Sequence, residues 1–590
     1  MSKKMNRRKF LRVSAASAGT LALAACAPQA AAPTTAPAAT EPPAVTEATA
    51  APAATAAPVA ATSSCQMDWN PTFPQPFKVY DPPLEVAVIW PPGMTFPEGM
   101  SWNNNPMYNR TVEYTGIKFT IHWEASGDLL EQKLAADLAA GTLPDVFYAA
   151  GLFLEQLIDN NAIEDIKSIW ETTASPLTKE KKMYPDYKWW KPVRRGDKLY
   201  GIPYTWGPAY NVDNLCFVRQ DWLDKLGLQP PETVEQWGEV ARAFRDAGLC
   251  QFGINACKRL VTWYQSLDPI FGAFGVMPGF WVKAEGGTLK YDSLSPAVKD
   301  ALAVIRQWYE EGLLDPDFYT YGEGDAAGHI AASKVGLFTA PWWHGGMQVK
   351  LEQENPGMKL APIPYPKGPQ GKQGRKASSE VGPSVVFRKG LDPLKIEACI
   401  NNLNWHIEMH VNWQKYQQYG EWRNSHAFVE GLEWVWGENC ELKDGPLAMP
   451  KTYEWMNTID FGFPYVVYPT YQADPFRDIL EWSKQDPSKL NKAQRFLLNN
   501  PIVLREADYY SKVFDTLDTQ IVNEYFGNPT DAMKQYLPDL SSLESEVFTN
   551  IVIGNEPLDR FDSFVEEWKA KGGEDVTRDV NAWYKATFGG

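Results

Sequence analysis

From residue 84 onward, short apolar runs alternate with stretches of helical period. Leu84–Trp90 (LEVAVIW) is a short apolar run suited to a buried parallel strand. Ile117–Trp123 (IKFTIHW) alternates with the two-residue period of a second strand. A helix is predicted next. Asp128 is its expected cap, Glu131 the reciprocal partner and Gly141 the stop, with Leu130, Leu134 and Leu138 on one face. Pro144–Tyr148 then reads as a strand. Strand, helix, strand in this order predicts parallel pairing and an α/β lobe.

Gly196–Trp237 interrupts the rhythm. Its first half is aromatic and broken by Gly201, Pro203, Gly207 and Pro208, and it runs into a strand-like Asn211–Val218. Exposed aromatics on such a crossing suit a ligand cleft between two lobes. Helical period resumes at Thr233, an N-cap whose capping-box partner is Gln236. Val234, Trp237, Val240, Ala241 and Phe244 share one face and Gly248 ends it. Ser295–Pro296 opens another helix, with a stripe of Val298, Leu302, Ile305 and Trp308–Tyr309 and a stop at Gly312. Ala331–Thr339 leads into Ala340-Pro341-Trp342-Trp343. Pro362–Gly374 is a second crossing or a surface loop. Glu380–Phe387 returns as a strand before a helix from about Pro393 to His410. Tyr416–Tyr471 is aromatic and irregular, and helices dominate from about Pro475.

Composition narrows the classes. A chain of 590 residues needs more than one packing unit. Without the six cations of the first 26 residues, the formal charge falls from −16 to −22, which excludes nucleic acid as a partner. The 24 tryptophans and 26 tyrosines offer flat faces to sugar rings, although large cores also bury many aromatics. Cys250 and Cys257 either close a short loop or are buried free thiols. No GxSxG, phosphate loop, dinucleotide loop or HExxH occurs, so no catalytic residue, cofactor or metal is expected. His406 and His410 would share a helix face but have no third ligand. Gly322–Gly328 (GEGDAAG) reads as a flexible connector. Among 72 acidic residues a hydrolytic pair always remains open, so a tethered extracellular glycoside hydrolase is the rival reading.

The N-terminus reads as an address. Arg7-Arg8 with Phe10 and Leu11, an apolar Val13–Ala25 and Leu23-Ala24-Ala25-Cys26 match a twin-arginine signal and a lipobox. Cleavage before Cys26, lipidation there and retention at the outer face of a membrane follow; twin-arginine and general export both stay open. Ala27–Ser64 is almost wholly Ala, Pro and Thr and forms no core. Extended at about 3.1 Å per residue it reaches roughly 120 Å.

Several fragments in order carry a resemblance. They are Gly141-Thr-Leu-Pro-Asp-Val146, Gly201-Ile-Pro-Tyr204, Arg219-x-Asp-Trp-Leu-x-Lys-Leu-Gly-Leu228, Pro231-x-Thr-x-x-x-Trp237, Gly336-Leu-Phe-x-x-x-Trp-Trp343 and the ending over 544–584. The set resembles the extracellular solute-binding proteins of family 1, the carbohydrate-type receptors of ABC importers, within them the LplA/LipO-like lipoproteins. The resemblance implies a two-lobe α/β fold of the periplasmic-binding-protein type II, with a helix-rich second lobe and a cleft between lobes. After a signal at 1–26 and a tether at 27–65, lobe 1 is expected over 66–207 and 362–450, and lobe 2 over 208–361 and 451–590. Tyr204, Trp206 and a tryptophan of the 342–343 pair, Trp342 before Trp343, are expected to stack on a sugar. The other of the pair would be core. Asn211, Glu380, Glu124 and Asp460 are expected to bond its hydroxyls. In sugar-binding members the loop after the 144–148 strand often binds ligand; here Ala149-Ala150-Gly151 lacks a ring, so an aromatic platform is missing there or comes from elsewhere. The implied partners are an oligosaccharide, an ABC permease and a membrane through lipid on Cys26, with the chain a monomer.

Overall fold

β1 (Leu84–Trp90) and β2 (Ile117–Glu124) lie parallel, joined through α1 (Pro106–Thr115). The computed structural model describes residues 65, 77–90, 100–104, 106–125, 127–203, 214–377, 382–411, 434–444 and 475–588. Gly116 makes the turn into β2 with φ +70°. A Cβ there would sit 1.9 Å from the Tyr80 carbonyl oxygen, so only glycine admits this close approach. α2 (Gly127–Ala140) starts one residue before Asp128, the cap expected from sequence. Leu134 is buried, with Leu130 and Leu138 packed beside it.

β3 (Val146–Ala149) departs from the expected parallel order. It pairs antiparallel with the strand Ser384–Phe387, which also takes Ile202–Pro203 on its other side. All four residues of the returning strand are buried. One apolar core gathers Tyr80–Ile202 with Val385–Ile407. Asp145 pins these distant stretches together. Its carboxylate accepts from the Ala87 amide at 3.1 Å, Arg388 Nε at 2.8 Å and Lys395 Nζ at 2.9 Å.

The second lobe is built on β4 (Asn214–Arg219), every residue of which is buried. α4 (Val234–Asp246) carries the predicted capping box, with Gln236 N donating to Thr233 Oγ1 at 3.2 Å and Thr233 N to Gln236 Oε1 at 3.2 Å. Gly248 follows it at φ +67°, a left-handed stop. α5 (Pro296–Glu310) begins at its proline as predicted. The GEGDAAG stretch is not a loose connector. It forms most of α6 (Glu323–Ala331), because Ala326 and Ile330 find buried positions on one face. β5 (Leu337–Pro341) and β6 (Leu360–Ile363) flank β4, both antiparallel to it.

Cys216 and Val218 of β4 face a core built from α4, α5 and the C-terminal helices from Ala532 to Val580. Leu215 and Phe217 face a second core that includes Trp342 and the helix Pro501–Phe514. Arg375–Ala377 pairs in parallel with Gln520–Val522, so two stretches between packing units run side by side. Cys65 is disulfide-bonded to Cys440, whereas Cys250 and Cys257 are free thiols. Among the described residues no helix is long and apolar enough to cross a membrane.

Burial pushes the Asp145 carboxyl up, but bonds from Lys395, the Ala87 amide and Arg388 outweigh it and hold it below its ordinary value. Its stabilisation is therefore present above about pH 4 and is lost as pH falls through the lowered folded value. Asp145→Asn should cost about 3 kcal/mol near neutral pH, read from the urea midpoint. Wild-type and variant midpoints should converge in acid, and midpoints that stay parallel throughout would show that the charge contributes nothing.

Candidate functional site

At the end of β5 the chain makes one tight helical turn, Trp342–His344. The turn sends its two tryptophans in different directions. Trp342 is 2% exposed, its ring edge-on to Tyr510 at 5.1 Å in the core beneath the sheet. Trp343 is half-buried and lies 5.6 Å from Trp263, which is 52% exposed. Trp343 also meets His344 at 4.3 Å, His344 meets Tyr264 at 5.3 Å, and Tyr264 meets Trp263 at 5.3 Å. Four rings thus close a circuit with one large indole face open to solvent. Trp342, the first choice from sequence, is a core residue here, and Trp343 is the member of the pair that joins the open rings.

The segment 254–266 is laced onto the free edge of β5. Asn255 N donates to Leu337 O at 2.9 Å, Gln265 N to Thr339 O at 3.1 Å, and Ser266 N to Thr339 Oγ1 at 2.7 Å. Covering the edge fixes where Trp263 and Tyr264 stand. Gln265 holds φ 56°, the left-handed region that a non-glycine residue adopts only when its surroundings impose it. Asn214, first residue of β4, donates its side-chain amide to the Trp263 carbonyl, and its own carbonyl accepts from Tyr365.

Three buried amide atoms here are unsatisfied, Asn255 Oδ1 among them. Asn214 Oδ1, on a residue 7% exposed, accepts no hydrogen bond, and Gln265 Nε2, on a residue 0% exposed, donates none. Buried polar atoms of native proteins almost always find partners, so two acceptors and one donor left open beside exposed rings are notable. Glu323, at the start of α6, accepts from the Thr262 hydroxyl. Burial, and then the Glu323 charge, push the Tyr264 phenol up, so it stays a neutral hydroxyl.

The first lobe contributes separately. Glu124 ends β2 and is exposed, with Lys133 Nζ donating to its carbonyl at 2.9 Å. The Ala149-Ala150-Gly151 loop opens α3 (Gly151–Asp159) beside a cavity of about 170 Å³. Tyr525 and Phe526 line the same cavity. Glu155 of α3 is bonded to Arg195 and lies 3.4 Å from Lys534 of the helix Asp531–Val552. Lys188 and Lys191 stand over the Phe526 ring at 5.4 and 5.5 Å. These contacts join the core containing α3 to the one containing the C-terminal helices.

Tyr204, Trp206, Asn211, Glu380, Asp460 and Cys26 lie outside the described residues. Nothing brings Glu124 to the aromatic circuit. His406 is buried against Trp405 at 5.3 Å, and no cluster of three potential metal ligands occurs among the described residues. Sequence reading missed Trp263, Tyr264, Thr262, Asn214 and Glu323. The adjacent pair Trp263-Tyr264, in a stretch without helical or strand period between two well-marked helices, was the available signal.

Among known proteins, the polygalacturonan/rhamnogalacturonan-binding protein YtcQ of Bacillus subtilis (strain 168) is 23% identical over 507 residues, which is 82% of this chain and 90% of YtcQ. Lipoprotein LipO of the same organism is 22% identical over 521 residues, 83% of this chain and 91% of LipO. The calcium-free crystal structure of the alginate-binding protein AlgQ2 superposes with a TM-score of 0.60 at 18% identity, over 86% of this chain and 99% of AlgQ2. The Streptococcus pneumoniae ABC-transporter substrate-binding protein FusA in complex with kestose gives 0.57 at 16% identity, over 85% and 99%. These likenesses show the two-lobe α/β fold. Residues 104–388, which hold β3, β4, β5 and the aromatic circuit, match the family model described as bacterial extracellular solute-binding protein.

Proposed function

We propose that the protein is an extracytoplasmic receptor that captures a sugar or oligosaccharide and delivers it to an ABC import permease, anchored by lipid on Cys26. The observation that carries the sugar reading is the circuit Trp263, Tyr264, Trp343, His344 with three unspent amide atoms behind it. An apolar face with a few placed polar groups is what a pyranose or furanose ring requires. The names of YtcQ and FusA, a polygalacturonan/rhamnogalacturonan binder and a kestose-bound receptor, support a glycan as the solute.

In this reading the lobes are those drawn from the sequence, 66–207 with 362–450 and 208–361 with 451–590. Tyr204, Trp206 and Asn211 belong to the site because their segment enters β4 at Asn214, already bonded to Trp263. Glu124, Glu380 and Asp460 would add hydroxyl acceptors. A ligand that touches both lobes favours the closed arrangement by its differential affinity, and the permease reads closure. The chain acts as a monomer and returns its sugar intact.

A thermal-shift screen of the full chain against oligosaccharides, followed by chromatography of the sugar, tests this. A ligand at a hundredfold excess over its Kd should stabilise by about 2.7 kcal/mol. Degraded sugar would favour a hydrolase, and no shift with any sugar would turn the search to other solutes. Trp263→Ala and Trp343→Ala should each weaken the identified sugar at least about tenfold, with little change in melting temperature of the free protein. Trp342→Ala should do the reverse and cost about 3–5 kcal/mol of stability. Calorimetric titration of the three variants separates platform from core.

A further inference from the structure

The charge of the aromatic site selects among sugars. Glu323 lies at the start of α6, partly buried, with one carboxylate oxygen taken by the Thr262 hydroxyl. Thr262 directly precedes Trp263, and the Glu323 charge reaches the Tyr264 ring, so this carboxylate belongs to the same site. No cation pairs with it among the described residues. Lys376 comes close, since its Nζ donates to the Thr262 carbonyl at 2.8 Å. The buried Asp268 carboxyl accepts the Lys376 backbone amide at 3.0 Å; burial pushes its pKa up, with Lys376 acting against that shift. Glu323 makes no ion pair among the described residues, Lys376 reaching only the Thr262 carbonyl, and it is tied to Thr262, the residue before the exposed Trp263.

We propose that this site takes neutral sugar rings and discriminates against uronic acids, with Glu323 as the group that sets the preference. The inference rests on the sugar-receptor reading and adds the substrate class. A sugar hydroxyl donates to the free carboxylate oxygen in a charge-assisted bond while its ring lies on Trp263. A uronate in the same position brings a second negative charge into a partly desolvated site, where repulsion is weakly screened. The opposite preference would have to act through Lys258 and Arg259, the two cations of the loop that carries Trp263.

The experiment is calorimetric titration of the full chain, wild type and Glu323→Gln, with neutral trisaccharides of the malto, galacto and fructo series and with trigalacturonic acid, near pH 7 at low salt. The wild type should bind its preferred neutral trisaccharide at least about tenfold more tightly than trigalacturonate. Glu323→Gln can still accept from Thr262 through its amide oxygen, and it should narrow that gap by about tenfold, by weakening the neutral sugar and relieving the uronate. Added salt should also narrow the gap in the wild type. Trigalacturonate binding as tightly as the neutral sugars, or a gap unchanged in the variant, overturns the inference and leaves the sugar reading in place. Failure of both classes to bind overturns the sugar reading and this inference with it.

Discussion

The second lobe depends on one strand being buried on both faces. β4 has no solvent side, so its alternating side chains must enter two different cores. Each large apolar side chain fully buried this way is worth about 1.5–3 kcal/mol, but only if helices cover both faces. That requirement brings α4, α5 and the C-terminal helices to one side and the helix Pro501–Phe514 to the other. It also leaves the ends of the strands as the places where backbone can turn outward. Asn214 stands at the start of β4, and Trp342–His344 turn off the antiparallel neighbour beside it, since Pro341 is in register with Asn214. The aromatic circuit forms at that corner.

Local chemistry was readable in the residues and distant pairing was not. The capping box at Thr233–Gln236, the proline start of α5 and the glycine stop at Gly248 each depend on neighbours within one helical turn. The partner of β3 depends on a strand more than 230 residues away, and a run such as SVVF fits equally well beside any buried neighbour. GEGDAAG shows the same limit from the other direction. Its glycines lower helix propensity, yet two buried apolar positions outweigh them. The candidate site divides likewise. Sequence located a tryptophan pair at 342–343, but which member is core follows from the tight turn after β5, and Trp263 reaches the site only because its loop is laced to the β5 edge.

Asp145 does for the first lobe what β4 does for the second. It is a buried anion made tolerable by an amide from the early strand and two cations from the returning segment. Removing a charge from water is costly, so such a group is stable only when all its partners arrive together. It therefore couples the early α/β segment to the returning strand and helix, and keeps a lobe made from two distant pieces of sequence in one arrangement.

The site itself is built against the same logic. Asn214 Oδ1 and Gln265 Nε2 are buried without partners, and Gln265 occupies a backbone conformation that costs of order 1–3 kcal/mol. An unmet buried polar group costs a further 1–3 kcal/mol. These costs fall beside the exposed Trp263 ring, at the end of a sheet whose central strand is fully buried. A hydroxyl group that met these amides would recover that free energy. Affinity then comes partly from relief of that deficit, which gives a reason for the site to be less stable than the lobe that carries it.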